Sequence, residues 1–400
     1  METKNNKMKK TTPSQLATVE SMNNFSDDIL THIISFLPFK QAIRTSILSK
    51  RWLPLCQSLF VLTFDDSRVK NTNDWILFCR QIDQVMFSPR SHQVTLKSFH
   101  LKCRSKLWKT KAECFSFNKW IEEAKRRRIE ELNLTLLFDV PLIPNIFCCC
   151  KTLVILKLRR IRVATNMIDC SVDLPLLKTL YLFDISFKHM NDFMKLLSGC
   201  PKLENLETSY VNGVKDDGGY FKPLSNLIKA SISLFEVPFR AVYNVKTLTI
   251  FELGRNLGNE GTNSYYKALP VFKNLTKLQL EWIQGTHDWD EVVKMLQNCP
   301  TLQTLEIEKC RQKSTTIEDW KYPDHVPECV SSHLTTCIIM NYEAVEADFR
   351  FATYILQNAM LLQVMKIRSY LNSNPMASPQ FLEDLTSCPR ISPTCKLSLL

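Results

Sequence analysis

Apolar residues recur along most of this chain in one arrangement, L-x-x-L-x-L with other apolar residues tolerated. Copies stand at Leu96-Phe99-Leu101, Ile129-Leu132-Leu134, Leu153-Leu156-Leu158 and Leu177-Leu180-Leu182. They continue at Leu203-Leu206-Thr208, Leu227-Ala230-Ile232, Val245-Leu248-Ile250 and Leu275-Leu278-Leu280. Leu302-Leu305-Ile307, Leu334-Cys337-Ile339 and Leu362-Met365-Ile367 follow, and Leu59-Leu62-Phe64 is a candidate earlier copy. The second and third apolar positions are two apart, so they share one face of a short strand. The first leads in from the preceding turn. Between copies the period changes. Residues 191–198 read as a helix capped by Gly199, residues 290–298 as another, and 348–359 as a third with Phe349, Ala352, Ile355 and Leu356 on one face.

Strand, turn and helix cannot bury one apolar face alone, but stacked copies can. The copies recur about every 27 residues, inside the leucine-rich range. Residues 197–207 and 296–306 are nearly the same segment twice. The fold class expected is an α/β solenoid: a small three-helix N-terminal module, then a curved leucine-rich repeat array with strands on its concave face. The domains read as a disordered basic tail over 1–22, the helical module over 23–60, the repeats over 61–319, and a region over 320–400 that continues the array.

The N-terminal module has its own pattern. Ser26 or Asp27 caps a helix whose Ile29, Leu30, Ile33, Ile34 and Leu37 lie on one side, and Pro38 stops it. A second helix over 40–48 offers Ala42, Ile43 and Ile47, and Ser49 caps a third that begins at Lys50-Arg51-Trp52. Three short amphipathic helices make too small a core to hide all of this apolar surface. The module is therefore a docking surface or a cap on the solenoid.

Composition removes several function classes. The 400 residues contain 8 glycines, all between Gly199 and Gly285, so no G-x-G-x-x-G or P-loop exists to cradle phosphate, and G-x-S-x-G is absent. Fifteen cysteines without C-x-x-C spacing, and a polar N-terminus without a signal core, suggest a reduced intracellular protein working in the nucleus, the cytoplasm or both. The most apolar stretch, residues 140–150, is broken by Pro141 and Pro144, so no membrane span is expected. A net charge of +11 is modest over this length and leaves nucleic acid a weakly supported partner.

Residues 25–52 (FSDDILTHIISFLPFKQAIRTSILSKRW) resemble the plant F-box in register, most specifically at Leu37-Pro38 and Ser46-Ile47-Leu48-Ser49-Lys50-Arg51-Trp52. Ser26 replaces the family's usual Pro, and Cys56 its usual second Trp. Leu62-Thr63-Phe64-Asp65-Asp66, Trp120-Ile121-Glu122-Glu123-Ala124 and the C-terminal segments around Val326, Tyr354, Met365 and Cys388 resemble the plant F-box/LRR proteins with a C-terminal FBD region. The resemblance spans about residues 25–400. It implies a substrate-recognition adaptor of a Skp–cullin–F-box ubiquitin ligase, with no catalytic residue and no cofactor of its own. The partners implied are a Skp-type adaptor, through it a cullin, and an unidentified target protein. Leu30, Ile33, Ile34, Leu37, Pro38, Ile43, Ile47, Leu48 and Trp52 are the expected adaptor-binding residues. The rival is a non-ligase repeat scaffold whose F-box-like helices only cap the solenoid.

Residues that alternate with the buried leucines face the concave surface. Interface energy concentrates in aromatics and Arg, which singles out Lys157, Arg159, Tyr181, Phe183 and Phe251 for target binding. Charge changes sign along the row, from Lys157 and Arg159 to Glu281 and Glu306, which implies a target of matched polarity. His325, Cys329, His333 and Cys337 have metal-capable side chains, but Pro327 and the strand at Leu334–Ile339 break the helical row, so no metal is expected. Cys148, Cys149 and Cys150 read as buried small apolar residues. Residues 125–128 read as a basic, solvated helix end.

Overall fold

The computed structural model describes residues 24–37, 39–45, 47–57, 61–88, 95–104, 111–142, 150–163, 171–214, 223–234, 236–253, 269–282, 289–309, 320–369 and 379–400. The tail over 1–22, Pro38, Cys148 and Cys149, and the side chain of Ile43, lie outside the described residues. The chain divides into two compact units, Met1–Leu59 and Phe60–Leu400.

The first unit holds α1 (Asp27–Ser35), α2 (Phe39–Thr45) and α3 (Trp52–Gln57), packed on one another. Ser26 N-caps α1, its side chain accepting from the Ile29 N–H at 3.4 Å, so the residue that replaces the family's Pro supplies a cap instead. Ser49 Oγ accepts from the Arg51 N–H at 3.3 Å, just ahead of α3. The Arg51 guanidinium reaches back to Asp27 at 2.8 Å and the Phe25 carbonyl at 2.7 Å, tying the start of α3 to the start of α1. Cys56 is buried and its Sγ donates to the Ala42 carbonyl at 2.9 Å, which links α3 to α2.

The second unit is one 13-stranded, all-parallel sheet in which every strand neighbours its sequence neighbours, the topology of a solenoid. In chain order the strands are β1 (Val61–Asp65), β2 (Ser98–Cys103), β3 (Glu131–Leu142), β4 (Ile155–Val163), β5 (Thr179–His189), β6 (Asn205–Val214) and β7 (Lys229–Ser233). Then come β8 (Thr247–Leu253), β9 (Lys277–Trp282), β10 (Thr304–Glu308), β11 (Thr336–Tyr342), β12 (Val364–Ser369) and β13 (Lys396–Leu399). The described connecting helices are α4 (Thr72–Met86), α5 (Lys111–Arg126), α6 (Met190–Ser198), α7 (Trp289–Gln297), α8 (Glu328–Ser332), α9 (Glu346–Asn358) and α10 (Pro379–Ser387).

Each apolar triplet forms a strand of this sheet. Leu132, Leu156, Leu180 and Leu206 are register partners in turn, as are Leu134, Leu158, Leu182 and Thr208, and all are buried. The first apolar residue closes a turn. Its N–H donates to the carbonyl three residues earlier, at Leu153→Cys150, Leu177→Leu174, Leu203→Cys200, Leu302→Cys299 and Leu362→Ala359, with distances of 3.1–3.3 Å. The acceptor residue is buried in each case, and Pro175, Pro201 and Pro300 occupy the next position, where a turn favours proline. The recurring Cys-Pro pairs are this turn, and Cys150 is its buried corner.

Three sequence expectations change. A further copy exists at β13, where Leu397 and Leu399 pair with Met365 and Ile367. Its first position is Thr394, so an apolar triplet search passes over it. Gly199 ends α6 with φ −79°, outside the left-handed region. Its need for no side chain comes instead from packing, since a Cβ there would stand 2.5 Å from Val172 Cγ1 and 2.6 Å from the Val172 carbonyl. In α9 the buried face carries Phe351, Ala352, Ile355 and Leu356, and Phe349 is only half-buried; Phe351 takes the inward place because it stacks on Trp289 at 3.9 Å.

Candidate functional sites

In the first unit the helical periodicity alone did not separate core from surface. Leu30 and Ile34 are fully buried and Trp52 is 4% exposed, so these three belong to the unit's core, with Ala42, Leu55 and Cys56. Ile33 and Leu37 are half-buried. Ile47 is 84% exposed and Leu48 68%, in the turn after α2 that the Leu48 N–H→Thr45 carbonyl bond closes at 2.9 Å. Phe36 and Ile29 are also exposed, although sequence reasoning left both out of the docking set. Phe36 follows the last residue of α1 and meets His32 edge-on at 4.8 Å. The surface is thus apolar and water-facing on a unit whose own core is already filled.

In the second unit the face opposite the leucines shows where the predicted target-binding residues lie. Lys157, Tyr181 and Glu207 are register partners on β4, β5 and β6, and so are Arg159, Phe183 and Ser209. The Arg159 guanidinium lies over the Phe183 ring at 4.3 Å, and Phe183 meets Tyr210 edge-on at 5.7 Å. Sequence reasoning missed Tyr210, because in a regular strand it would point into the core. Here φ is +59°, and the neighbouring bends at Arg160, Asp184 and Glu252 are also left-handed, with φ of 55–61°. The bends at Arg160, Asp184 and Tyr210 each set two consecutive side chains on one side before Ile161, Ile185 and Val211 return to the core.

Lys157 is held by Glu131 at 3.4 Å, and Arg160 by Asp184 at 3.4 Å. Burial raises the Tyr181 hydroxyl above its ordinary pKa; Glu207 adds to this and Arg159 opposes it. Phe251 lies three strands beyond Phe183, on β8, so it is not part of the stack. The row is also interrupted: Ser231, Ser233 and Thr249 on β7 and β8 are buried. Beyond them, Lys277 holds Glu306 at 2.7 Å. Burial raises the Glu281 pKa, and Glu308, its register partner, raises it further.

The remaining chemistry-bearing residues take structural places. Cys329 is buried in α8, His333 caps that helix, Cys337 is a core position of β11 and His325 is exposed. No three metal-capable side chains converge among the described residues. In the basic run, Lys125 and Arg126 end α5 as expected, but Arg127 is 3% exposed and therefore not solvated; burial lowers its pKa and Glu123 opposes this. A buried ionic cluster had no signal in the sequence. Lys309, just after β10, donates to both Asp348 oxygens at 2.7 and 2.8 Å and to Glu343 at 3.0 Å, and Trp289 Nε1 donates to Asp348 at 3.2 Å. No described helix is long and apolar enough to cross a membrane.

Comparison with known proteins agrees with this layout. Residues 22–63 match the F-box domain, residues 117–215 match the LRR repeats described for the FBD-associated F-box protein At5g56370, and residues 321–367 match FBD. The FBD-associated F-box protein At3g52670 of Arabidopsis thaliana is 29% identical, over 94% of this chain and 97% of its own length. The F-box/FBD/LRR-repeat protein At4g26340 of the same plant is 26% identical over 95% of this chain and 99% of its own length. Three domain matches in this order, with similarity along nearly the whole length, make the chain similar throughout to the F-box/FBD/LRR-repeat proteins.

Proposed function

We propose that this chain is the target-recognition subunit of a Skp–cullin–F-box ubiquitin ligase. The F-box docks on a Skp-type adaptor, the adaptor brings the cullin, and the repeats hold a target protein for ubiquitin transfer. The chain performs no bond chemistry itself. The observation that carries this reading is the exposure of Phe36, Ile47 and Leu48 on a small unit whose core already contains Leu30, Ile34 and Trp52. Burying such side chains contributes about 1.5–3 kcal/mol each, and an adaptor supplies the apolar surface for it. In this reading the docking set shifts toward Ile29, Phe36, Ile47 and Leu48, and Ile33 and Leu37 stand at its edge.

The test is co-expression of the full chain with a plant Skp-type adaptor, followed by gel filtration. Wild type co-elutes, and Phe36→Asp with Ile47→Asp abolishes co-elution while circular dichroism stays unchanged, because both residues lie outside the core. A folded wild type that fails to co-elute overturns the ligase reading and leaves the helices as a cap on a scaffold.

A further inference from the structure

Strand β4 presents four cations, Lys157, Arg159, Arg160 and Arg162, on a sheet face that also carries Tyr181, Phe183 and Tyr210. The structure sorts these cations. Glu131 holds Lys157 and Asp184 holds Arg160. Arg159 and Arg162 have no acidic partner among the described residues. Arg162 is exposed, and Arg159 is spread over the Phe183 ring at 4.3 Å. A guanidinium fixed on an aromatic face keeps its donor fork free and has already lost much of its rotamer freedom, so it binds a planar carboxylate at low entropic cost. Tyr210 braces Phe183 edge-on from β6 and is 42% exposed. The left-handed bend in β6 costs backbone energy and places that ring beside Phe183 rather than in the core. Glu207, beyond Tyr181, bounds the positive area on the β6 side.

We infer that the face of β4–β6 binds an acidic segment of the target protein, with a carboxylate on Arg159 and Arg162 and apolar atoms against Phe183 and Tyr210. The inference rests on the proposal that the repeats hold a target. It narrows the site to these strands, adds Tyr210 and Arg162, and leaves out Phe251. The occupant is acidic because two cations with no acidic partner among the described residues stand together here, while the buried Ser231, Ser233 and Thr249 separate this face from the Glu281–Glu308 pair.

The experiment uses the full chain and a fluorescein-labelled ten-residue peptide that alternates Glu with Gly and Ser. The same peptide with Lys for Glu, and with phosphoserine for Glu, serve for comparison, and binding is read by fluorescence polarisation. The Glu peptide is expected to bind at least about tenfold more tightly than the Lys peptide, and the double variant Arg159→Gln with Arg162→Gln weakens it at least about fivefold. Phe183→Leu and Tyr210→Ala, which leave the charge unchanged, weaken it about threefold or more. Arg159→Lys keeps the charge, loses the fork and weakens it as well. Lys229→Gln with Lys246→Gln removes two exposed cations elsewhere and changes affinity less than about twofold. Equal losses in the Lys229/Lys246 and Arg159/Arg162 variants, with no effect of Phe183→Leu, would mean diffuse charge attraction and overturn the inference. A phosphoserine peptide bound more than tenfold tighter than the Glu peptide would overturn the carboxylate assignment. Adaptor co-elution is scored on the same preparations. Peptide failure with co-elution intact overturns this inference alone; the converse overturns the ligase reading alone.

Discussion

Replacing Lys309 with Met tests how the repeat array is joined to its FBD region. Lys309 follows β10, and Asp348 and Glu343 lie beyond β11, so one ammonium ties two successive repeats together. The side chains of Lys309 and Asp348 are each 1% exposed, and that of Glu343 is 11% exposed. Removing the cation leaves two carboxylates near each other in a dry site. Among the described residues Asp348 then keeps the Trp289 indole at 3.2 Å and the Glu343 N–H at 3.0 Å as donors. Breaking a buried pair by removing one partner costs about 3–5 kcal/mol. The expected loss falls in that range, because methionine fills the space of the lysine stem but neutralises nothing. Amide hydrogen exchange reads the cost locally. Protection in β10 and β11 should drop by that free energy and protection in β4 and β5 should stay unchanged, since repeats couple only to their neighbours. A cycle with Asp348→Asn should return a coupling of about 1–3 kcal/mol. A loss below about 1 kcal/mol in β10 and β11 would refute the view that this cluster secures the junction.

Glu236 provides a pH test. It is 6% exposed, and burial first and Glu252 further push its pKa up to about 7, although the Val211 N–H donates to it at 2.9 Å. The folded state therefore binds the proton more tightly than the unfolded state does. The stabilisation this affords is complete below the unfolded carboxyl range near 4.5 and is lost as pH rises to about 7. Thermal unfolding should show wild type losing up to about 3 kcal/mol across that window relative to Glu236→Gln; parallel curves for the two proteins would contradict this. Gly199→Ala should destabilise by about 1–3 kcal/mol, because the added Cβ meets the Val172 backbone as well as its side chain. Denaturation of Gly199→Ala beside Gly213→Ala, where the closest atom stands at 3.0 Å, would show the larger loss at Gly199.

Much of the repeat architecture was legible in the residues because its causes are local. Two leucines two apart must share a strand face, and a turn that returns its N–H three residues back needs only a buried corner and a tolerated proline. Stacked copies then pair in register whatever joins them, which is why uneven spacing did not hide the sheet. The thirteenth strand was overlooked because Thr394 stands where the triplet expects an apolar residue, and parallel pairing with β12 replaces that signal. The F-box segment was legible as three helices from its caps and breaks.

The direction in which those helices pack was not legible. Helical spacing places Ile29, Leu30, Ile33 and Ile34 on one broad face, and only contact with α2 and α3 makes Leu30 and Ile34 core and leaves Ile29 to water. The same holds on the sheet. Alternation placed Arg159 and Phe183 on one face, but the stack with Tyr210 depends on a left-handed bend that breaks alternation. Lys309, Glu343 and Asp348 lie 34 and 39 residues apart in sequence, and no local pattern marks them as partners. Strand positions follow from the two-residue period of an extended chain; these clusters follow from backbone bends and from repeats brought side by side, which exist only once the chain is folded.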